Sequence, residues 1–480
     1  MSKLKRLAGE TALYGLGSIL PRVLNFMLVP LHTINMFSKS EYGEITKLYA
    51  FVGVVNIVYM FGMETAYFRF ATKPEANQQR IFNLSQTSVV LISVLLSVIF
   101  ISFSTPIANA LNIVSHPEFI IWLTLTMFVD ALVAIPFARL RLEKKALLFA
   151  AAKIFNVAML IGLNFYFLKI NFDPVVGIGY VFLANLIANS FLILFFLKTI
   201  FSWRPVWDKT ISPQMLQYAY PVMITGVAGM INEMFSRSML DWWLPENFYA
   251  NTTREEAGGI FGACYKFAVF MNLCIQAFRY AAEPFFFSNA SDSNSPALFA
   301  RINHYFVIAC CVVLLGISIN MDIFKFLVGD EFWAGISIVP VLLLAYLFLG
   351  IYYNMSVWFK LTDKTYYGTL ITLLGAFITI LGNFILIPIA GYMGSSLAAL
   401  LCYLSMAITC YLLSQKYYPI PYTLPKDLSY IIVTYLIILL VNSISLGNVW
   451  INVGFHLIVV VVYCGLIFLI ERKDLRQSVA

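Results

Sequence analysis

The sequence predicts an all-α membrane protein of fourteen transmembrane helices: two repeated six-helix halves followed by two further C-terminal helices. Three observations predict it: an oily composition, a lopsided distribution of basic residues, and a weak internal repeat. The 480 residues are 61% hydrophobic and 11% charged, with a mean hydropathy of +0.83. A soluble chain carries about 25% charged residues, and a helix needs about 20 apolar residues to cross a bilayer. Apolar runs of that length fall at 9–35, 42–68, 84–105, 117–138, 146–168 and 174–198. They recur at 213–240, 257–286, 303–328, 334–358, 366–389 and 391–414, and again at 428–446 and 451–471. The last two pairs read as helical hairpins, the first of them turning at Ala390-Gly391.

Loop charge sets the orientation. With the N-terminus in the cytoplasm, cytoplasmic segments and their edges hold 21 of the 31 Lys and Arg, and outside loops hold four. That bias predicts cytoplasmic termini on both ends of the chain. The net charge of +7 therefore records topology and is no signal for nucleic acid. Lys3, Lys5 and Arg6 ahead of an apolar run look like a secretory signal, but Arg22 interrupts the run, so an uncleaved first span is expected. The seven cysteines all fall in predicted spans and have no zinc-site spacing.

The repeat has an offset of 219 residues and rests on polar matches. Gly43 and Lys47 match Gly262 and Lys266, Glu64 matches Glu283, and Asn164-Phe165 matches Asn383-Phe384. Leu142 and Lys145 match Leu361 and Lys364, with Arg141 facing Lys360. An even number of spans per half gives both halves the same orientation, as in transporters whose substrate sits between two lobes. The expected division is an N-lobe over 1–198, a cytoplasmic linker over 199–212, a C-lobe over 213–415, and the two extra spans with a tail over 416–480.

The remaining six basic residues lie within spans, where lipid exposure of them all would cost on the order of 15 kcal/mol. They should therefore face a wet interior or reach the span ends. In the first span Thr11, Tyr14, Ser18, Arg22 and Asn25 share one helix face, as do Glu233, Arg237 and Asp241 in the seventh and Asn272, Gln276, Arg279 and Glu283 in the eighth. Lys266 falls off that last stripe, towards a neighbouring helix. Arg22, Lys47, Arg237, Lys266 and Arg279 are the candidate cavity cations for an anionic headgroup. Glu64, Glu283, Asp130 and Glu233 are candidate carboxylates for coupling to a proton or sodium ion, or for tuning the cations. Bland readings stand beside these: an i,i+4 pair for Glu233 and Arg237, span-end residues for Lys47 and Glu64, and a structural pair for Asp130. Pro21 and Pro284, beside charges, would open helices around a cavity, while other span prolines such as Pro221 would shape packing.

Several runs resemble the multidrug/oligosaccharidyl-lipid/polysaccharide flippase superfamily, and within it the polysaccharide-biosynthesis proteins of O-antigen or capsule type. Leu20-Pro21-Arg22-Val23-Leu24-Asn25-Phe26 is similar to the Ser-Arg-Val-Leu-Gly-Phe run of lipid II flippases, with Pro21 and Asn25 departing from it. Glu41-Tyr42-Gly43-Glu44, Tyr220-Pro221, Ala282-Glu283-Pro284-Phe285 and Gly391-Tyr392-Met393-Gly394-Ser395-Ser396 are further family-like runs. The resemblance implies two six-helix lobes in a V around a central cavity, with alternating access. It implies export of a polyprenyl-pyrophosphate-linked oligosaccharide across the bacterial inner membrane for surface polysaccharide. It also implies a monomer that meets lipid, the polymerase and glycosyltransferases of its pathway, but no nucleic acid and no cofactor. Lipid II transport and drug or cation antiport are the alternatives within the superfamily. The chain has no large outside loop and no Asp-x-Asp pair for a glycosyltransferase or polymerase, and no phosphate-binding P-loop, so an enzyme is not expected.

Overall fold

The computed structural model describes residues 19–34, 36–73, 77–113, 116–288, 295–362, 364–444 and 447–479, except the side chains of 280, 281, 283, 284, 287, 288 and 473–479. Glu283 and Pro284 therefore lie outside the described side chains, as do Thr11, Tyr14 and Ser18 of the first stripe. Among the described residues eleven helices are long and apolar enough to cross a membrane. The chain is a multi-pass membrane protein with an all-helical fold. Its one non-helical pairing among those residues is an isolated bridge between Tyr249 and Thr252.

Residues 19–26 are helical and lead into α1 (Leu28–Thr33). Ser38 starts α2 (Lys39–Met60) with a capping box: its Oγ accepts from the Glu41 amide, and the Glu41 carboxylate accepts from the Ser38 amide at 2.8 Å. Phe61 and Gly62 both take left-handed conformations, which breaks the rod before α3 (Met63–Ala71). The first half continues through α4 (Gln78–Ser102), α5 (Ser104–Ala110), α6 (Glu118–Leu142), α7 (Ala146–Phe165) and α8 (Gly179–Phe201). Here α4, α7 and α8 pack on or beside α6, around Phe82, Met127, Phe137, Phe149 and Phe196.

The second half begins with α9 (Ile211–Met234) and α10 (Ser236–Trp243), which divide the expected 213–240 span at Phe235. Asp208 ties the linker to α9: its Oδ1 accepts from the amides of Thr210 and Ile211, both at 2.8 Å, and Arg80 pairs with its other oxygen. These bonds, the Ile211 amide first, hold the Asp208 carboxyl below its ordinary value. The chain then forms α11 (Arg254–Ser288), α12 (Ser295–Ile319), α13 (Met321–Phe324), α14 (Val339–Met355), α15 (Val357–Leu361) and α16 (Tyr366–Tyr417). Although α16 runs for 52 residues, Gly391 breaks it at φ 56° and ψ −133°. Ser395 Oγ reaches Asn383 Oδ1 at 2.7 Å, across 12 residues that a straight helix would separate by about 18 Å. The expected hairpin at Ala390-Gly391 is thus present.

The last helices, α17 (Leu424–Asn442) and α18 (Val449–Val479), pack on α12. A buried cluster joins the three: His304 Nδ1 meets Asp427, its Nε2 faces Glu471 Oε2 at 3.4 Å, and Lys426 reaches the same Glu471 oxygen at 2.9 Å. Large side chains such as Leu147, Val461 and Trp450 are exposed on the flanks; on a membrane protein these face lipid.

The two halves meet mainly through α2 against α11, and through α2 and α3 against α9. Features 219 residues apart are held alike. Asn164 and Asn383 are both fully buried, and each donates from Nδ2 to the carbonyl four residues back, at 2.9 and 2.7 Å. Each also bonds the opening helices of its own half, Asn164 to His32 at 2.9 Å and Asn383 to Ser236 at 3.2 Å. The amides of Lys145 and Lys364 both close a turn by donating to the carbonyl five residues back, at 2.8 and 2.9 Å.

Candidate functional site

One face of α9 carries Tyr218, Pro221, Thr225, Gly229 and Asn232 at helical spacing, and it walls a cavity of about 780 Å³. α11, α14, α15 and both legs of α16 close the other sides. Along α9 the cavity runs from Gln217 to Glu233, about 24 Å at 1.5 Å per residue. This polar stripe explains why α9, though 24 residues long, is not among the helices apolar enough to be counted as spans. Pro221, expected to shape packing, lies in the cavity wall.

The lining is mixed in a useful way. Tyr218, Tyr352, Tyr353, Tyr366 and Tyr403 supply aromatic faces with hydroxyl tips. Arg279 stacks on Tyr353 with its guanidinium carbon 4.0 Å from the ring centroid, and Lys360 is the second lining cation. Thr225 and Thr369 bond each other at 2.9 Å across the wall. At the deep end Asn272 donates to Glu233 Oε1 at 3.2 Å, and Gln276 donates to Asn272 at 3.3 Å. Planar forks, point charges, aromatic faces and hydroxyls are the groups that bind phosphate and sugar.

Several expected charges gather where the halves meet. Arg22 is exposed and lies within electrostatic reach of Glu233 and of Lys153. Arg237 is buried, with its guanidinium 4.4 Å from the Tyr265 ring centroid, and it acts electrostatically on Glu233 and on Lys266. Lys266 is half-buried near His32. Lys47 is buried and pairs with Asp241 at 3.0 Å, so the first half grips the second there. The other two carboxylates lie elsewhere. Glu64 pairs with Arg141 within the first half. Asp130 accepts from Asn189 at 2.8 Å, Asn189 accepts from Asn156 at 2.8 Å, and Lys153 lies within electrostatic reach.

Sequence reading did not foresee the tyrosines, Lys360 as a cavity residue, or Asp241 as the partner of Lys47. In a chain with 27 Tyr, one more aromatic on a helix face reads as packing. The only local signal was the polarity of α9, whose Gln214, Gln217, Thr225 and Asn232 are too many for a lipid-facing span.

Residues 35–243 match the family model described as polysaccharide biosynthesis protein. The structure is similar to that of a lipid II flippase, MurJ, in an inward closed conformation: TM-score 0.72, 14% identity, covering 97% of this chain and 99% of that one. The fold is that of the MOP flippase superfamily. An inward-facing multidrug resistance MATE transporter of the superfamily superposes with TM-score 0.62 at 14% identity, covering 85% of this chain and 94% of that one. A Vibrio cholerae MATE transporter gives 0.61 at 16% identity, covering 86% and 96%. No curated protein matches the sequence. The family match spans α2 to α10.

Proposed function

We propose that this protein is an alternating-access flippase. It carries a polyprenyl-pyrophosphate-linked oligosaccharide from the cytoplasmic to the outer leaflet of a bacterial inner membrane, for surface polysaccharide synthesis. The observation that carries the reading is the composition of the α9 cavity. Arg279 and Lys360 offer cations to a pyrophosphate, while five tyrosines and several hydroxyl and amide side chains offer sugar contacts. A cavity for hydrophobic cations would instead favour carboxylates over Arg and Lys. The family match to polysaccharide biosynthesis proteins favours an oligosaccharide over lipid II.

In this reading the chain makes fourteen crossings as two lobes, 1–198 and 213–415, with a cytoplasmic linker, cytoplasmic termini and two accessory helices. Arg22, Arg237, Lys266 and Lys47 form the cationic path between lobes, and Glu233 tunes it. Glu64, Glu283 and Asp130 serve proton or sodium coupling. The protein works as a monomer beside the glycosyltransferases and polymerase of its pathway. Without a P-loop, the driving force is an ion gradient, the membrane potential or consumption of product. A potential of about 100 mV contributes roughly 2.3 kcal/mol for each negative charge moved outward.

The test is flipping of a fluorescent polyprenyl-pyrophosphate trisaccharide by the full chain in liposomes. Arg279→Ala and Arg22→Ala should each slow it by about tenfold or more, the loss of one charged hydrogen bond. The lysine substitutions should restore it in part, because they keep charge and lose the fork. Equal flipping of lipid II, or full activity of both alanine variants at matched protein levels, would overturn the assignment.

A further inference from the structure

A second pocket, of mixed polar and apolar lining, lies away from the α9 cavity, between α12, the start of α14 and the two C-terminal helices. It measures about 420 Å³, within the range of small-molecule sites. Ser318 at the end of α12, Asn442 at the end of α17, and Asn452 and His456 at the start of α18 line it, together with Asp322 and Tyr435. His456 lies seven residues after Val449, the first residue of α18, which places it about 10 Å along that helix. The pocket therefore sits near the ends of three helices and reaches about 10 Å along α17 and α18.

Two of these side chains are buried without a hydrogen-bond partner. Ser318 is 2% exposed and its Oγ is unpartnered; His456 is 4% exposed and its Nδ1 is unpartnered. Both line the pocket. Burying a hydroxyl and an imidazole nitrogen in this way is unfavourable unless something in the pocket bonds them.

We infer that this pocket binds a polyol headgroup, one that bears a vicinal diol such as glycerol or a hexose ring. The lining residues decide the chemistry. None is Arg or Lys, which disfavours a phosphate or carboxylate. The only lining carboxylate, Asp322, already pairs with Lys325 at 3.3 Å, which disfavours an ammonium group. What remains is a balanced set of hydroxyl, amide and imidazole groups, each pairing a donor with an acceptor. Sugar and glycerol hydroxyls have the same dual character. Apolar side chains such as Ile438 and Pro340 complete the wall and suit the C–H face of such a ligand.

The source is either a glycerol-headed membrane lipid or the sugar of a lipid-linked cargo, and the test separates them. Native mass spectrometry of the full chain would count lipids retained from mixed micelles. Phosphatidylglycerol against phosphatidylserine isolates the diol at equal net charge, and monoglucosyl diacylglycerol against phosphatidylethanolamine isolates the hexose. The diol or hexose partner should be retained about tenfold more strongly in one of these comparisons. That preference should fall to within about twofold in Ser318→Val and His456→Leu. Asn442 is exposed, so Asn442→Leu keeps the test open if the buried variants do not fold. A phosphatidylglycerol preference assigns the bulk lipid, and a hexose preference assigns a glycolipid. Absence of both preferences, or their survival in a folded variant, would overturn the inference and leave a solvent-filled pocket.

Discussion

Lys47 and Asp241 form a buried ion pair joining the two halves, with both side chains only 4% exposed. Asp241 Oδ2 also accepts from Asn112 at 3.4 Å, while its Oδ1 has no partner. Taking two charges out of water is costly, so such a pair adds little net stability, yet losing one partner leaves a buried charge alone. Lys47→Met or Asp241→Leu should each destabilise the protein by about 3–5 kcal/mol, and the double variant should be near neutral. Thermal denaturation of the four proteins in detergent checks this; additive losses in the double variant would show that the two residues act independently. Sequence alone could mark Lys47 as an intramembrane cation, because a mid-span charge needs a reason. It could not supply the partner, which is 194 residues away and sits near the end of its own span. The same limit hid the cavity tyrosines: helical periodicity says which residues share a face, and says nothing about whether that face meets lipid, protein or a cavity.

Helices and turns were more legible than contacts. Apolar length pointed to long membrane-type helices, eleven of which stand among the described residues, and the Ala390-Gly391 turn was readable because glycine is the residue that takes a left-handed conformation freely. At Gly391 the requirement is double. Its φ is +56°, and an added Cβ would fall 2.1 Å from the Tyr249 hydroxyl. That hydroxyl accepts from the Tyr392 amide at 3.2 Å, and the two tyrosine rings stack 4.6 Å apart. Gly391→Ala should therefore cost on the order of 1–3 kcal/mol and loosen the loop around Tyr249. Gly454 has nothing within 4 Å of its Cβ position and lies inside α18, so Gly454→Ala should be neutral or stabilising by about 0.5–1 kcal/mol. Hydrogen exchange of the 244–253 loop reads the first change, and unaltered exchange there would mean the hairpin tolerates a side chain. The break at Phe235 was not legible, since neither glycine nor proline marks it. The seventh span was counted by apolar length alone, and its polar stripe did not show in that count.

At the scale of the molecule the two halves touch near both ends, and each contact needs small residues. At the end carrying Asp241, α2 crosses α11 so closely that a Cβ on Gly43 would lie 2.2 Å from the Glu255 carbonyl oxygen. One on Gly259 would lie 2.0 Å from the Lys39 carbonyl oxygen, and Lys39 faces Glu256 at 3.8 Å. At the linker end Gly62 approaches Ala219, where a Cβ would lie 2.6 Å from the carbonyl oxygen, and Arg69 covers Tyr218 at 4.4 Å. The alternating access proposed above would require one of these seams to part while the other holds. The seams differ in what resists separation: a buried ion pair backs the Gly43 crossing, and an exposed cation–π contact backs Gly62. A wedge at Gly43 should therefore open the α2–α11 seam and leave the Gly62 seam closed. Thr46 lies under that crossing, its Cγ2 only 2.7 Å from the Cβ position of Gly262, and is 4% exposed. In a cysteine-free background, Thr46→Cys should resist an impermeant thiol reagent applied to whole cells, and Gly43→Leu should make it reactive. Asn251→Cys and Asp208→Cys set the sidedness: the first should label and the second should not. A Gly62→Leu wedge should leave Thr46→Cys protected, because it forces the opposite seam. If Gly43→Leu inserts normally and Thr46→Cys stays protected, the α2–α11 crossing is fixed packing, and the moving seam must lie elsewhere between the halves.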